Sequence, residues 1–346
     1  MLFQRFLSSY ARARSFSLLI HSRSMSALNS RANLQMDREN SNLIDPLKRT
    51  ATFRLSNVSG RKADLIEIHA KNPTIHVLFV PGNPGVISFY TDFLESLYDL
   101  LGGTASITAI GQISHMKKNL EGGRLFSLEE QIDHKVNFIK QELDNIEVPI
   151  VLVAHSIGCY ISVELLRRFS PKVIYCIKLY PFLAINKISF QQAVIRKTAA
   201  SPFLCATLSS IVALLGLLPA SLTRFLVRNS VGKSWSSTAV DALCDNLLQY
   251  HVMQNVFFMA RREFIKLLEP PDWAFLREKQ SQIAFLFGDD DHWGPLQMSE
   301  EISVQVPKAH LVIEREGLTH AFSCTEKGSV WVAQFVARLI KKQITK

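Results

Sequence analysis

The sequence has little with which to cross-link itself or hold a metal. Its five cysteines, Cys159, Cys176, Cys205, Cys244 and Cys324, stand singly along 346 residues, with no CxxC pair. That spacing argues against a disulfide scaffold and a zinc site, and reads as reduced thiols of an intracellular protein. No long Lys/Arg run and no aromatic-basic array occurs, so a nucleic-acid partner is not expected. No internal repeat is visible, which argues against a solenoid. Near the N-terminus no apolar run is long enough for a clear secretory signal, the best being Phe16 to Ile20. Residues 1–36 also lack any Asp or Glu, while carrying Arg5, Arg12, Arg14, Arg23, Arg31 and many serines.

That last absence decides how the net charge of +9 is read. The five N-terminal arginines account for more than half of it, leaving +4 for the rest of the chain. An Arg-rich, Ser-rich, acid-poor segment has the composition of an organelle transit peptide. The competing reading is a disordered basic extension, or Met25 as a second initiator. The expected organisation is therefore a basic extension over residues 1–50, followed by one folded unit over 51–346. Apolar residues make up 47% of the chain, enough to bury a large core and too much for a disordered protein.

Ala51–Leu55 and Ala63–His69 alternate like two strands around a turn at Gly60. Ile75–Val80 is a short continuous apolar run, as expected of a strand buried on both faces. A turn-forming loop, Pro81-Gly82-Asn83-Pro84-Gly85, and a helical stretch over Ser88–Leu101 follow. The alternation continues with strands at Thr104–Ile110, Ile150–Val153, Val173–Leu179, Ile283–Phe287 and Leu311–Glu314. Helices are expected after Ser127, which stands at capping-box spacing from Glu130, and over Gly158–Phe169 and Val330–Lys342. This order predicts an α/β fold with a mostly parallel, doubly wound sheet. A helical insertion, about Phe182–Arg277, is expected to cap the carboxyl ends of the strands, where such sheets bind ligands.

Three strand ends carry chemistry. Ile150–Val153 runs into Ala154-His155-Ser156-Ile157-Gly158 and then directly into a helix, the strand–turn–helix setting of the G-x-S-x-G nucleophile elbow. Small residues two before and two after Ser156 let helix and strand approach, with Ala154 in place of the first glycine. Ile283–Phe287 ends in Gly288-Asp289-Asp290-Asp291, offering an acid, with Asp291 preferred to Asp290. The last strand leads into Gly317-Leu318-Thr319-His320, the only one of ten histidines in the loop between final strand and final helix. A serine hydroxyl needs a histidine to take its proton, and the histidine needs a carboxylate to fix its tautomer. Ser156, Asp291 and His320 are thus the candidate nucleophile, acid and base. The expected oxyanion donors are the backbone N–H groups of Ile157 and Asn83. His155 and His292 are expected to line the pocket, and His310 to be structural. Aspartate at the elbow, required by a dehalogenase or epoxide hydrolase, is replaced here by Ser156.

The motifs FVPGNPG at Phe79–Gly85, Phe89-Tyr90, AHSIG, GDDDHWGP and THAF, in this order over residues 63–342, resemble the lipid droplet-associated hydrolase family. The resemblance implies an α/β-hydrolase fold, a triad on Ser156, Asp291 and His320, and an esterase-like enzyme of stored neutral lipid. Sterol esters or acylglycerols are the implied substrates. The implied address is the lipid droplet or the associated endoplasmic reticulum membrane. The basic N-terminal segment points instead to a mitochondrion or plastid.

No organic cofactor and no metal is expected, because the chain supplies nucleophile, base and oxyanion donors. No obligate protein partner is expected. One surface partner is. Thr198–Thr223 is a run of 26 residues without a charge, flanked by Arg196, Lys197, Arg224, Arg228 and Lys233. By length it could span a bilayer, but Ser156 precedes it and Asp291 and His320 follow it. A single crossing would separate the three, so the segment is expected to lie in a lipid surface, against the alternative of ordinary buried cap helices.

Overall fold

The computed structural model describes residues 51–230 and 232–345. The basic N-terminal segment, and with it the targeting expectation, lies outside them. Eight strands form one sheet: β1 (Thr52–Val58), β2 (Arg61–Ile68), β3 (Ile75–Val80), β4 (Ala105–Ile110), β5 (Ile150–His155), β6 (Val173–Leu179), β7 (Ile283–Gly288) and β8 (His310–Glu314). Their spatial order is β1-β2-β4-β3-β5-β6-β7-β8. The β1–β2 and β2–β4 pairs are antiparallel and all later pairs are parallel. This is the mostly parallel sheet that the alternation of elements predicts.

Burial explains which strands are central. Every residue of β3, β4, β5 and β7 is buried, because helices cover both faces of a parallel sheet. Residues β1 52–55 are exposed, as an edge allows. One face buries Val77, Phe79, Val151 and Val153 beneath α1 (Thr91–Leu100) and α11 (Glu326–Ile344). The other buries Leu78, Val80, Leu152 and Ala154 beneath α2 (Leu128–Glu142) and α3 (Gly158–Arg168). Successive residues of a strand point to opposite faces, so one apolar run feeds both cores. At the start of α2, Ser127 Oγ accepts from the Glu130 amide and the Glu130 carboxylate accepts from the Ser127 amide, both bonds of the capping box.

Among the described residues, six α-helices lie between β6 and β7: α4 (Phe190–Ala200), α5 (Pro202–Gly216), α6 (Ala220–Asn229), α7 (Ser237–Ala242), α8 (Tyr250–Lys266) and α9 (Trp273–Glu278). The uncharged run is broken where Pro202 starts α5 and where Pro219 precedes α6, because proline fits the first turn of a helix and not its interior. The axes of α4 and α5 meet at 98°. Among the described residues no single helix is long and apolar enough to cross a membrane. Helix α5 buries a stripe at Cys205, Ser209 and Val212, with Leu208 packed partly buried against the core, while Phe203, Leu204, Ile211 and Leu214 are exposed. Phe203 is 77% exposed, Leu214 63% and Leu217 80%, with Phe225 of α6 at 62%. Of the flanking cations, Arg224 pairs with Asp241 at 2.6 Å and Asp245 at 3.5 Å.

One helix has no counterpart in the sequence reading. α10 (Leu296–Gln305) joins β7 to β8, and buries just Met298, Ser299 and Ile302. So narrow a buried stripe leaves no clear apolar period to read.

Candidate active site

The elbow is a product of local backbone geometry. Ser156 has φ of +56°, a left-handed conformation disfavoured for any residue with a Cβ, and it is held by neighbours on both sides. The Ser156 amide donates to the Leu179 carbonyl at 3.0 Å, and the Phe182 amide donates to the Ser156 carbonyl at 3.2 Å. The turn closes only because α3 comes close to the end of β3. A Cβ on Gly158 would stand 2.5 Å from the Val80 carbonyl oxygen and 2.6 Å from that of Pro81. Gly82 is constrained too, less tightly, since a Cβ there would meet Ser156 Cβ at 2.9 Å.

Three strand ends bring the predicted side chains together. His320 Nε2 lies 2.9 Å from Ser156 Oγ, and His320 Nδ1 lies 2.8 Å from Asp291 Oδ2. A carboxylate only accepts, so Nδ1 carries the proton and Nε2 is left to accept from the serine hydroxyl. All three residues are buried. The second oxygen of Asp291 accepts from the Trp293 amide at 2.9 Å. Burial opposes ionisation of Asp291, but His320, its hydrogen bond and the Trp293 amide outweigh it and hold the carboxyl below its usual range. Asp289 and Asp290 are exposed. His310 is exposed at the start of β8, away from this cluster.

His155 does more than line a pocket. Its Nε2 lies 2.9 Å from the His320 carbonyl and its Nδ1 lies 2.8 Å from the Tyr90 hydroxyl. The carbonyl can only accept, so Nε2 donates and Nδ1 accepts from Tyr90. Tyr90 oxygen in turn accepts from the Gly82 amide at 3.3 Å. Burial first, then the neighbouring His320, pushes His155 far below the ordinary histidine range, which keeps this chain of donors neutral and in one direction. The loop bearing the base, the residue before the nucleophile and the Pro81–Gly85 loop are thereby tied through one imidazole.

The rest of that loop is also held from below. Gln112 Nε2 donates to the Pro81 carbonyl at 3.2 Å, and the Gly85 amide donates to His115 Nδ1 at 2.9 Å. Buried Lys135 supports Gln112, with Nζ 2.6 Å from its Oε1 and 2.9 Å from the Gly111 carbonyl. A Cβ at Gly85 would collide with Gln112 Cγ at 2.0 Å, which accounts for that glycine. The Asn83–Pro84 bond is cis. Ile157 is the N-cap of α3, where amides of the first turn lack an intrahelical acceptor. Gly82 lies against Ser156, where its added Cβ would stand 2.9 Å from Ser156 Cβ, and Ile157 directly follows Ser156 at the start of α3. Beside it a small apolar cavity is lined by Asn83, Phe89, Tyr90, His155, Trp235 and Leu247, among others.

Tyr90, Gln112 and Lys135 were not anticipated as supports. Their signals are weak: a tyrosine after the Pro-Gly loop, and a lysine on a helix face that otherwise reads as apolar. Among the described residues no group of three or more His, Cys, Asp or Glu could hold a metal ion. All five cysteines are free thiols.

Comparison with known proteins places this geometry. The described fold resembles the haloalkane dehalogenase DatA from Agrobacterium tumefaciens C58, with a TM-score of 0.62 at 11% identity over 85% of this chain and 97% of that one. It also resembles a laboratory-evolved potato epoxide hydrolase, with a TM-score of 0.60 at 16% identity over 84% and 99%. Such likeness shows the α/β-hydrolase fold, and fold alone does not carry chemistry. In sequence, the lipid droplet-associated hydrolase of Gallus gallus is 30% identical over 75% of this chain and 83% of its own length. Residues 73–323 match the model of the family described as lipid-droplet associated hydrolase, and the chain belongs to that family.

Proposed function

We propose that this chain is a serine hydrolase that cleaves carboxylic esters of neutral lipids, sterol esters or acylglycerols, at a lipid-droplet or membrane surface. The observation that carries the reading is the hydrogen-bonded relay from Ser156 Oγ through His320 to Asp291, at 2.9 and 2.8 Å. In this mechanism His320 Nε2 takes the hydroxyl proton as Ser156 Oγ attacks the ester carbonyl carbon. The oxyanion is met by the backbone N–H groups of Ile157 and Asn83, each such donor worth about 10²–10³ in rate. His320 then gives its proton to the departing alcohol, leaving an acyl-enzyme at Ser156. Water, deprotonated by the same imidazole, releases the acid and restores the serine. Apart from the ester and water, every reacting group in these steps belongs to the chain, and none calls for a cofactor or metal.

The lipid-surface part rests on the family and on the outer face of α5 and α6. Exposed Phe203, Leu214, Leu217 and Phe225 form an apolar surface of the kind that marks interaction sites. Exposed Arg196, Lys197, Arg228 and Lys233 would meet anionic head groups. The same face favours a second reading, a lipid-droplet surface protein with weak or vestigial esterase activity. A fluorophosphonate probe separates the two. Labelling of the full chain that disappears in Ser156→Ala, with ester turnover lost in parallel, supports the enzyme. Lipid binding without labelling or turnover supports the surface protein.

A further inference from the structure

Helix α8 of the insertion reaches the Pro81–Gly85 loop. Asn83 Nδ2 donates to Glu263 Oε1 at 2.9 Å and to the Val256 carbonyl at 3.0 Å. Val256 and Glu263 are seven residues apart on α8, two turns along one face. Glu263 is 4% exposed, on a face that also buries Val252, Met253, Met259 and Ala260. A carboxyl in such surroundings is costly unless it has a task. Burial pushes it up to about 8, with the Asn83 hydrogen bond acting the other way, so at neutral pH it is largely an uncharged acid that still accepts.

The helix that presents Glu263 is itself anchored. Asn255 accepts from the Phe126 amide at 3.0 Å and donates to the Arg124 carbonyl at 3.0 Å. His251 Nε2 donates to the Met116 carbonyl at 2.9 Å, and Gln254 donates to Ser209 of α5 at 2.9 Å. α8 is therefore fixed both to the core domain and to the outer helix of the insertion.

We propose that Glu263 is a positioning residue that, through the Asn83 side chain, sets the Asn83 backbone amide for the oxyanion, so that this donor is in place only when α8 is seated. The inference rests on the serine-hydrolase reading above. Its reasoning is geometric. Side chain and amide of Asn83 share one Cα, so a side chain held at two points on α8 limits rotation of the Gly82–Asn83 peptide. From the opposite side Tyr90 holds the Gly82 amide. A donor displaced by about 1 Å loses about 10²-fold in rate without weakening ground-state binding.

The test compares Glu263→Leu and Glu263→Gln in the full chain. Leu fills the volume and removes the acceptor, whereas Gln keeps an acceptor oxygen. With a short soluble ester, Glu263→Leu should lower kcat by about 10–100-fold with KM within about threefold. Glu263→Gln should stay within about threefold of wild type. Glu263→Leu should still fold, with a lowered urea midpoint, since one Asn83 Nδ2 hydrogen loses its acceptor. Hydrogen exchange at residues 82, 83 and 85 should accelerate in Glu263→Leu and return to the wild-type rate in Glu263→Gln. Unchanged exchange and kcat in Glu263→Leu, or equal damage in Glu263→Gln, overturns the inference. Absence of fluorophosphonate labelling at Ser156 in wild type overturns the serine-hydrolase reading instead, and the exchange result still decides whether Glu263 holds the loop.

Discussion

Gly158→Ala is the smallest change that should separate folding from turnover. The added Cβ would stand 2.5 Å from the Val80 carbonyl oxygen and 2.6 Å from that of Pro81, against an ordinary contact of 3.4 Å or more. The N-terminus of α3 and the end of β3 must then part by about 0.9 Å, the difference between those distances. Both obstructing atoms belong to the backbone, so no rotamer change relieves the clash. Overpacking of this kind costs ~1–3 kcal/mol, and alanine returns up to ~1 kcal/mol of it as a better helix former than glycine. The variant should fold, with a modestly lower urea midpoint. Turnover should suffer far more. Pro81 leads directly into Gly82 and Asn83, and Gly158 is two residues from Ser156, so the movement opens the gap between nucleophile and oxyanion loop. A misplacement near 1 Å corresponds to about 10²-fold in kcat/KM. Urea unfolding and hydrolysis of a soluble ester, measured on one preparation, check both halves. A folded variant with activity within threefold of wild type would refute the claim that this contact sets the site.

Three further outcomes are expected. Asp291→Asn should lose about 10⁴-fold in kcat, as should Ser156→Ala and His320→Ala, while exposed Asp290→Asn should match wild type; the reverse order for the two aspartates would reassign the acid. Glu263 has its pKa raised from 4.5 to about 8 by burial, so the folded chain keeps a proton that the unfolded chain releases. Its contribution to stability is full below pH 4.5 and falls away as pH rises to about 8. Glu263→Gln should accordingly gain on wild type in denaturant titrations between pH 5 and 8, by up to ~5 kcal/mol, and a pH-independent difference would sink this reasoning. Leu214→Asp combined with Leu217→Asp should weaken flotation with liposomes or droplets about 100-fold, at ~1.5 kcal/mol for each leucine withdrawn from lipid. Undiminished flotation of the folded double variant would show that α5 is not the anchor.

Much of this protein can be read locally. β3, β5 and β7 are legible because a strand covered on both faces must be apolar throughout, and α2 because Ser127 and Glu130 satisfy each other's amides across one turn. Ser156 is legible for the same reason: the sharp turn after β5 needs small residues at fixed offsets, so its signature lies within a few positions of the chain. α10 escaped because a helix that buries three residues leaves little apolar period. The ion pairs of Arg224 with Asp241 and Asp245 leave no local signal, because both partners stand on a later part of the insertion.

The sequence by itself determined the alternation of strands and helices, the elbow at Ser156, and the strand ends that offer Asp291 and His320. Those depend on backbone preferences and burial, which act over a few residues. For the acid the sequence preferred Asp291 to Asp290, and the tertiary structure supplies the contact: Asp289 and Asp290 stay exposed while buried Asp291 meets His320. The supports of the Pro81–Gly85 loop were decided there too. Tyr90, His155, Gln112 and Glu263 come from four separate parts of the chain. A hydrogen bond between residues 180 positions apart, as between Asn83 and Glu263, leaves no periodicity to find, since only the packing of α8 over the sheet brings its two ends within 2.9 Å.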